Sequence, residues 1–338
     1  MVLHKKVVIA LGGNAILQPG QKGTAEEQLE NVQKAVNQIV PMVAAGYDIV
    51  LTHGNGPQVG SILIQHEAGR DKVPALPMDF CGSESQGFIG YMFCRLLRNA
   101  LHSAWIEGKD PVCVVTQVEV SPDDPAFAHP TKPVGPFYTE EAAKARAAAM
   151  PQETWVEDAG RGWRRVVPSP EPIDIVEKNV ISMLVNQGKL VIASGGGGIP
   201  VVRRGDGLHG IDAVIDKDLA GELLARSLGA QIFMMLTDVP KVALNYGTPD
   251  QTWIDDVYPE EMWAYAAAGH FKAGSMGPKV KAALRFVERG GEMAIIANLG
   301  SALDALEGRA GTRILNPVTQ EAAKEKEGAL PKILLGAS

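Results

Sequence analysis

Short apolar runs recur along the chain at Val7–Leu11, Tyr47–Thr52, Val112–Val118, Leu190–Ser194, Gln231–Leu236 and Met293–Ala297. Each has the length and composition of a strand. Between most of them lie helical patterns. In the clearest, over Glu26 to Ala45, Leu29, Val32, Val36, Ile39, Val40 and Val43 recur at three- and four-residue spacing. Thr24 and Glu27 form a capping box at its start. Pro41 is expected to kink the helix near its end, where Gly46 offers a left-handed stop. Parallel strands need long connections and helices supply them, so the alternation predicts an α/β architecture. Two segments break the rhythm. Ser121 to Tyr138 carries Pro122, Pro125, Pro130, Pro133 and Pro136, too many for a helix or a central strand, and reads as a loop that serves as a lid. Trp155 to Pro172 reads as a hairpin with a glycine turn. No repeat of fixed period is present, and the charged segment Gln320 to Ser338 is expected to be a loosely attached tail.

The chain has 338 residues, of which 46% are hydrophobic and 21% charged, the composition of a folded chain with a sizeable core. Its formal charge of -7 disfavours nucleic acid and anionic membrane as partners. Cys81, Cys94 and Cys113 show no C-x-x-C spacing, which argues against a disulfide framework or a zinc site and fits a reducing cytoplasm. Val7–Leu11 is too short for a signal-peptide core, and no stretch reaches the roughly 18 apolar residues that would span a bilayer.

Three glycine clusters each follow an apolar strand: Gly12-Gly13-Asn14, Gly54-Asn55-Gly56-Pro57 and Gly195-Gly196-Gly197-Gly198. A glycine turn between strand and helix lets backbone N–H groups approach an anion, and the helix start adds about half a positive charge. Phosphate is the natural guest, although any one pair of glycines serves a tight turn equally well. Neither the dinucleotide fingerprint nor a Walker A loop is present, so the positive charge must come from elsewhere. Lys132 in the proline-rich segment, Lys217 between Asp216 and Asp218, and Lys279 after Gly277-Pro278 are the candidates, against a background in which most lysines are solvated. Asp212, Asp216, Asp218 and Asp238 lie at strand ends, placed to hold magnesium through water or to orient lysines; helix capping is the alternative for Asp218. His53 belongs to no H-E-x-x-H, and no G-x-S-x-G elbow exists. Arg161, Arg164 and Arg165, beside Trp155 and Trp163, are expected to pair internally.

Taken in order, these residues resemble the carbamate kinases of the amino-acid-kinase superfamily from about Lys6 to Thr312. The motifs are Ala10–Ala15, His53–Gly60, Pro130–Phe137, Glu157–Arg164, Pro168–Pro170, Gly195–Val201, Ile215–Asp218, Gly269–Phe271 and Gly274–Met276. The resemblance implies a three-layer αβα sandwich with a mainly parallel central sheet and a small protruding lid. It implies one domain over 1–317, with an acceptor half about 1–190 that includes a lid about 119–170, a nucleotide half about 191–317, and a tail over 318–338. It further implies reversible phosphoryl transfer between ATP and carbamate, with Mg2+ held mainly by the nucleotide, small molecules as the only substrates, and a cytoplasmic homodimer. By similarity, Lys132 faces the carbamoyl side, Lys217 and Lys279 bind the transferring and nucleotide phosphates, and Asp218 orients lysines. Gly12, Gly13, Asn14, Gly54, Asn55 and Gly56 line the acceptor. Gly195, Gly196, Gly197, Gly198, Asp238, Tyr246 and Met276 hold the nucleotide.

The chain departs from the family at Glu84, a carboxylate in Gly82-Ser83-Glu84-Ser85-Gln86-Gly87, at Pro240 after Asp238-Val239, and in its longer tail. Two other readings follow from the same residues: the same fold acting on another small acid or nucleotide, and a catalytically weak nucleotide-binding sensor. The joint presence of Lys132, Lys217, Asp218 and Lys279 argues against the sensor.

Overall fold

The structure is a computed structural model that describes residues 5–158, 160–272 and 275–319; Gly274 and the tail from Gln320 lie outside them. Its centre is an eight-stranded sheet. The spatial order is Asp256–Val257, Thr312–Leu315, Met293–Asn298, Ile232–Thr237, Lys6–Leu11, Asp48–His53, Leu190–Ile192 and Pro111–Cys113. The pairs from Met293–Asn298 to Pro111–Cys113 are parallel, while Thr312–Leu315 runs antiparallel to Met293–Asn298.

Both faces of this sheet are covered, which explains the near-continuous apolar runs. Side chains alternate across a strand. Val7, Ile9 and Leu11 therefore enter one core with Val32, Val36, Ile39, Ile89, Phe93 and Leu97. Val8 and Ala10 enter the other with Leu219, Leu223, Leu224, Val280, Leu284 and Phe286. The first layer is built by helices Ala25–Ala44 and Met78–Ser103, the second by Lys178–Asn186, Lys217–Ser227 and Met276–Glu288. A three-layer αβα sandwich results. Among the described residues, no helix is long and apolar enough to cross a membrane.

The helix predicted from Glu26 spans Ala25–Ala44, and both halves of the Thr24–Glu27 capping box form. It runs on through Pro41, whose missing N–H withholds a single i→i−4 bond, and stops before Gly46 at φ +90°.

Two expectations are corrected. The run Val112–Val118 is not one strand. Pro111–Cys113 closes the main sheet; the chain then turns at Thr116, and Gln117–Val120 joins a second sheet ordered Gly207–Gly210, Ile199–Arg204, Gln117–Val120 and Pro172–Ile175. Buried Thr116 makes that transfer: its N–H donates to Gln86 Oε1 at 2.7 Å, and its Oγ1 accepts the Ser194 N–H at 2.9 Å. The proline-rich segment is not all loop either. Lys132–Tyr138 is a strand that includes Pro133 and Pro136. It lies at the edge of a three-stranded sheet, paired only with Trp163–Val167, and an edge tolerates missing donors. The predicted hairpin is present as Thr154–Glu157 against Trp163–Val167. With helix Glu140–Ala149 it completes a small layer beside the body.

Candidate active site

At the carboxyl ends of the central strands the chain opens into a cavity of about 720 Å3. Ligands of open α/β sheets gather at this edge. Strand Lys6–Leu11 delivers Gly12, Gly13 and Asn14; strand Asp48–His53 delivers Gly54, Asn55 and Gly56; strand Ile232–Thr237 delivers Asp238. The first two turns touch. A Cβ on Gly54 would lie 3.2 Å from the Gly13 nitrogen and 3.3 Å from the Lys217 side chain, so glycine permits the approach. Lys132, Lys217, Asp218, Lys279 and Gly196 line the same cavity.

The charged groups form two arrangements. Asp216 caps helix Lys217–Ser227, its Oδ1 accepting the Asp218 N–H at 2.9 Å and the Leu219 N–H at 3.4 Å. The alternative that made Asp218 the cap is thereby corrected: Asp218 sits inside the first turn, and its carboxylate is free for other partners. It takes two lysines. Lys217 Nζ donates to Oδ1 at 2.9 Å, and Lys279 Nζ, from the facing helix Met276–Glu288, donates to Oδ2 at 2.8 Å. Separately, Lys132 Nζ reaches across from the proline-containing strand to Asp216 Oδ2 at 3.1 Å.

Burial disfavours the Asp218 carboxylate, but the two ammoniums outweigh it and hold its pKa below the usual range. Burial also opposes the charge on Lys217; Asp218 and then Asp216 overcome it, and the pKa is raised. Lys279 comes out the other way. Burial first, then repulsion from Lys217, lower its pKa despite Asp218. His53 is fully buried, and that burial lowers its pKa to about 4 although the Gly54 carbonyl accepts from its ring. It stays neutral at physiological pH and stacks on Phe93.

At the other end of the cavity Asn14 donates through Nδ2 to the Asp238 carboxylate, and Asn298 Nδ2 donates to the Asp238 carbonyl at 3.0 Å. Asn298 received no role in the sequence reading, and Asp216 only the general one of holding magnesium through water or orienting lysines. Asn298 has the signal that Asn14 carries, an asparagine closing an apolar strand.

Gly195–Gly198 pack closely on named neighbours. Added Cβ atoms would lie 2.5 Å from His53 Nε2 at Gly195, 2.1 Å from Asn55 Nδ2 at Gly196, 2.4 Å from the Ile215 carbonyl at Gly197 and 2.2 Å from Val118 at Gly198. Three of them also have positive φ. Only Gly196 lines the cavity. Tyr246 is exposed against Trp253, and Met276 packs on the core; neither lines the cavity. The basic cluster pairs internally as expected: Arg161 with Asp158 at 2.7 Å, Arg164 with Asp158 at 3.6 Å, and Arg165 with Asp212.

A model of the amino acid kinase family matches residues 5–298. The carbamate kinase of Pyrococcus furiosus is 55% identical over 317 residues, covering 93% of this chain and 100% of that protein. The carbamate kinase of Giardia intestinalis is 48% identical over 316 residues, covering 93% and 99%. Among solved structures, carbamate kinase from Giardia lamblia bound to AMP-PNP is 50% identical, with a TM-score of 0.89 over 93% of this chain and 99% of that one. The chain belongs to the amino acid kinase family and, within it, to the carbamate kinases.

Proposed function

We propose that this protein transfers a phosphoryl group between carbamoyl phosphate and ADP, giving ATP and carbamate, and that it runs chiefly toward ATP. One observation carries the reading: a single buried carboxylate, Asp218, bridges two lysine ammoniums inside a glycine-walled cavity. Carbamate is already an oxyanion and needs no general base, so the neutral His53 is no obstacle. The task is to align two repelling anions and neutralise charge as the P–O bond to one oxygen breaks and that to the other forms.

In this reading Lys217 and Lys279 contact the transferring and nucleotide phosphates, and Asp218 aims both. Gly12, Gly13, Asn14, Gly54, Asn55 and Gly56 enclose the acceptor with backbone N–H groups, and Lys132 closes over its carbamoyl end. The strand Lys132–Tyr138 and its small layer serve as the lid within an acceptor half of about 1–190. The nucleotide lies in the half of about 191–317, beyond Asp238, with Tyr246 and Met276 flanking it. Gly195–Gly198 act by letting Asn55 and His53 approach rather than by touching the nucleotide.

Among the described residues no three His, Cys, Asp or Glu side chains gather as a metal ligand set, and the carboxylates of Asp216, Asp218 and Asp238 are engaged by Lys132, by Lys217 and Lys279, and by Asn14. In this reading Mg2+ travels on the nucleotide phosphates, where it would supply charge neutralisation. A cytoplasmic homodimer completes the reading, checked by light scattering.

The test is ATP formation from carbamoyl phosphate and MgADP, with acetyl phosphate as the comparison donor and reactions lacking metal or carrying Lys217→Ala as controls. Metal-dependent turnover, lost by on the order of a hundredfold in the variant, is expected. A folded protein that binds ADP and turns over nothing overturns the assignment.

A further inference from the structure

Behind the acceptor end lies a second chamber of about 560 Å3. It shares Asn55, Gly56, Lys132 and Gly196 with the catalytic cavity, so the two spaces meet at the acceptor turn. Its outer walls are the helix Gly56–Gly69, the start of helix Met78–Ser103 and the strand Lys132–Tyr138. The wall is glycine, proline and aliphatic for the most part, and among its lining residues no carboxylate occurs. Its two charged members, Lys132 and Arg164, are both cations, in a chain of net charge -7.

Arg164 is held in place. Its Nη2 donates to the Gly135 carbonyl at 3.0 Å, Nη1 lies 3.6 Å from Asp158, and the guanidinium covers the Phe137 ring at 5.1 Å. Among the described residues its Nε–H is buried without an acceptor. A planar guanidinium that stays partly exposed on an apolar wall suits a phosphate or carboxylate oxygen.

We propose that this chamber is the access route of the acylated phosphate, separate from that of the nucleotide, and that Arg164 is a positioning residue that captures the anion before Lys132 receives it. The substrate identity rests on the reading given above. The arrangement follows from charge. The only charged side chains on the chamber wall are cations, each with one carboxylate partner set back from the wall, Asp216 for Lys132 and Asp158 for Arg164, so an entering anion meets the cations first, and apolar walls keep water from an acyl phosphate that water would hydrolyse. The nucleotide, already attended by Asp238 and Asn298, does not use it.

Two variants test this. Arg164→Gln removes the charge, with Arg164→Lys as the conservative rescue. Gly82→Leu narrows the chamber; a Cβ there has no neighbour within 4 Å, and the position lies in a helix that gains from losing glycine. In steady-state kinetics Arg164→Gln is expected to raise KM for carbamoyl phosphate at least tenfold, with kcat and KM for ADP within twofold; Arg164→Lys recovers part of the loss. Gly82→Leu lowers kcat/KM for carbamoyl phosphate at least fivefold, again sparing ADP. Unchanged KM in both variants, or equal loss for both substrates, overturns the proposal. Calorimetric titration of the nucleotide-free protein with carbamoyl phosphate separates this from the activity assignment. Wild-type binding that Arg164→Gln weakens tenfold supports the route even if no ATP forms. Equal binding by both proteins, or none by the wild type, removes it.

Discussion

Two lysine–carboxylate arrangements face the same cavity and differ in how they are held. Lys217, Asp218 and Lys279 have side-chain exposures of 19, 5 and 12%, and the helices that carry them, Lys217–Ser227 and Met276–Glu288, pack directly on one another. Lys132 and Asp216 are 39 and 18% exposed, and their contact joins a strand of the small layer to the body. Charges in the interior interact more strongly and are screened less than those near water. The first arrangement is therefore a fixed fixture, ready before any substrate arrives, as electrostatic stabilisation of a transition state requires. The second is a half-exposed contact between the small layer and the body, which suits the lid role proposed above.

The strongest way to break this contrast is Asp218→Asn. The substitution leaves two buried ammoniums without their shared counter-charge, and removing one partner of a buried ionic cluster costs about 3–5 kcal/mol. Turnover is expected to fall by two to three orders of magnitude, since neither lysine keeps its aim. Denaturant unfolding and kcat should both register the change. A variant of wild-type stability with kcat within fivefold would show that the bridge is incidental.

Lys132→Ala probes the other member. The half-exposed pair contributes little to folding, on the order of 0–1 kcal/mol. Stability should barely move while kcat/KM for carbamoyl phosphate drops roughly tenfold to a hundredfold, with KM for ADP nearly unchanged. Equal damage to both substrates would place Lys132 at the phosphates shared by the two rather than at the acceptor.

Much of this was legible in the sequence and some was hidden for identifiable reasons. Lys132, Lys217, Asp218 and Lys279 stood out because each sits among glycines, prolines or aspartates, and all four line one cavity. Their pairing was not legible, because Lys279 lies 61 residues from Asp218 and only the packing of two helices brings them together. Which aspartate capped the helix depended on two residues of register, and the backbone chose Asp216. The break in Val112–Val118 was invisible because both halves are apolar; what divides them is Thr116, whose partners Gln86 and Ser194 are distant in sequence. Prolines in Lys132–Tyr138 argued against a strand by a rule for central strands, and edge placement is a tertiary fact. Four glycines in a row pack closely on His53, Asn55, Ile215 and Val118, partners that no local pattern in the sequence names.

The two buried lysines can be told apart by pH. Lys279 is depressed by burial and by the charge of Lys217, whereas Lys217 is raised. Lowering a lysine pKa means its proton is lost on the way up in pH before an ordinary lysine would lose its own. The alkaline limb of kcat/KM, which reports the free protein, should accordingly lie below the ordinary lysine range. Bound phosphates place negative charge beside the ammonium and raise its pKa, so the limb of kcat should appear at higher pH. Lys279→Arg, permanently charged, should move or abolish the first limb. Coincident limbs in both profiles and in the variant would assign the titration to another group.

The smallest effect is expected at Glu84. It meets His66 Nε2 at 3.0 Å, yet its own side chain is 43% exposed, and the pair joins two helices of the body, Gly56–Gly69 and Met78–Ser103, away from the Asp218 bridge. An exposed pair of this kind is screened and contributes little. Its neighbours divide the labour: Ser85 accepts from Asn55 Nδ2 at 2.8 Å, and Gln86 donates to the Gly195 carbonyl at 3.1 Å, so the two following residues support the site while Glu84 faces solvent. Glu84→Gln should shift Tm by no more than about 1–2 °C and leave both Michaelis constants within twofold, whereas Ser85→Ala should cost several-fold in kcat/KM by freeing Asn55. A larger effect at Glu84 than at Ser85 would mean that the His66 contact transmits to the acceptor turn through the helix Gly56–Gly69, and that the fixed part of the site extends further than the Asp218 bridge.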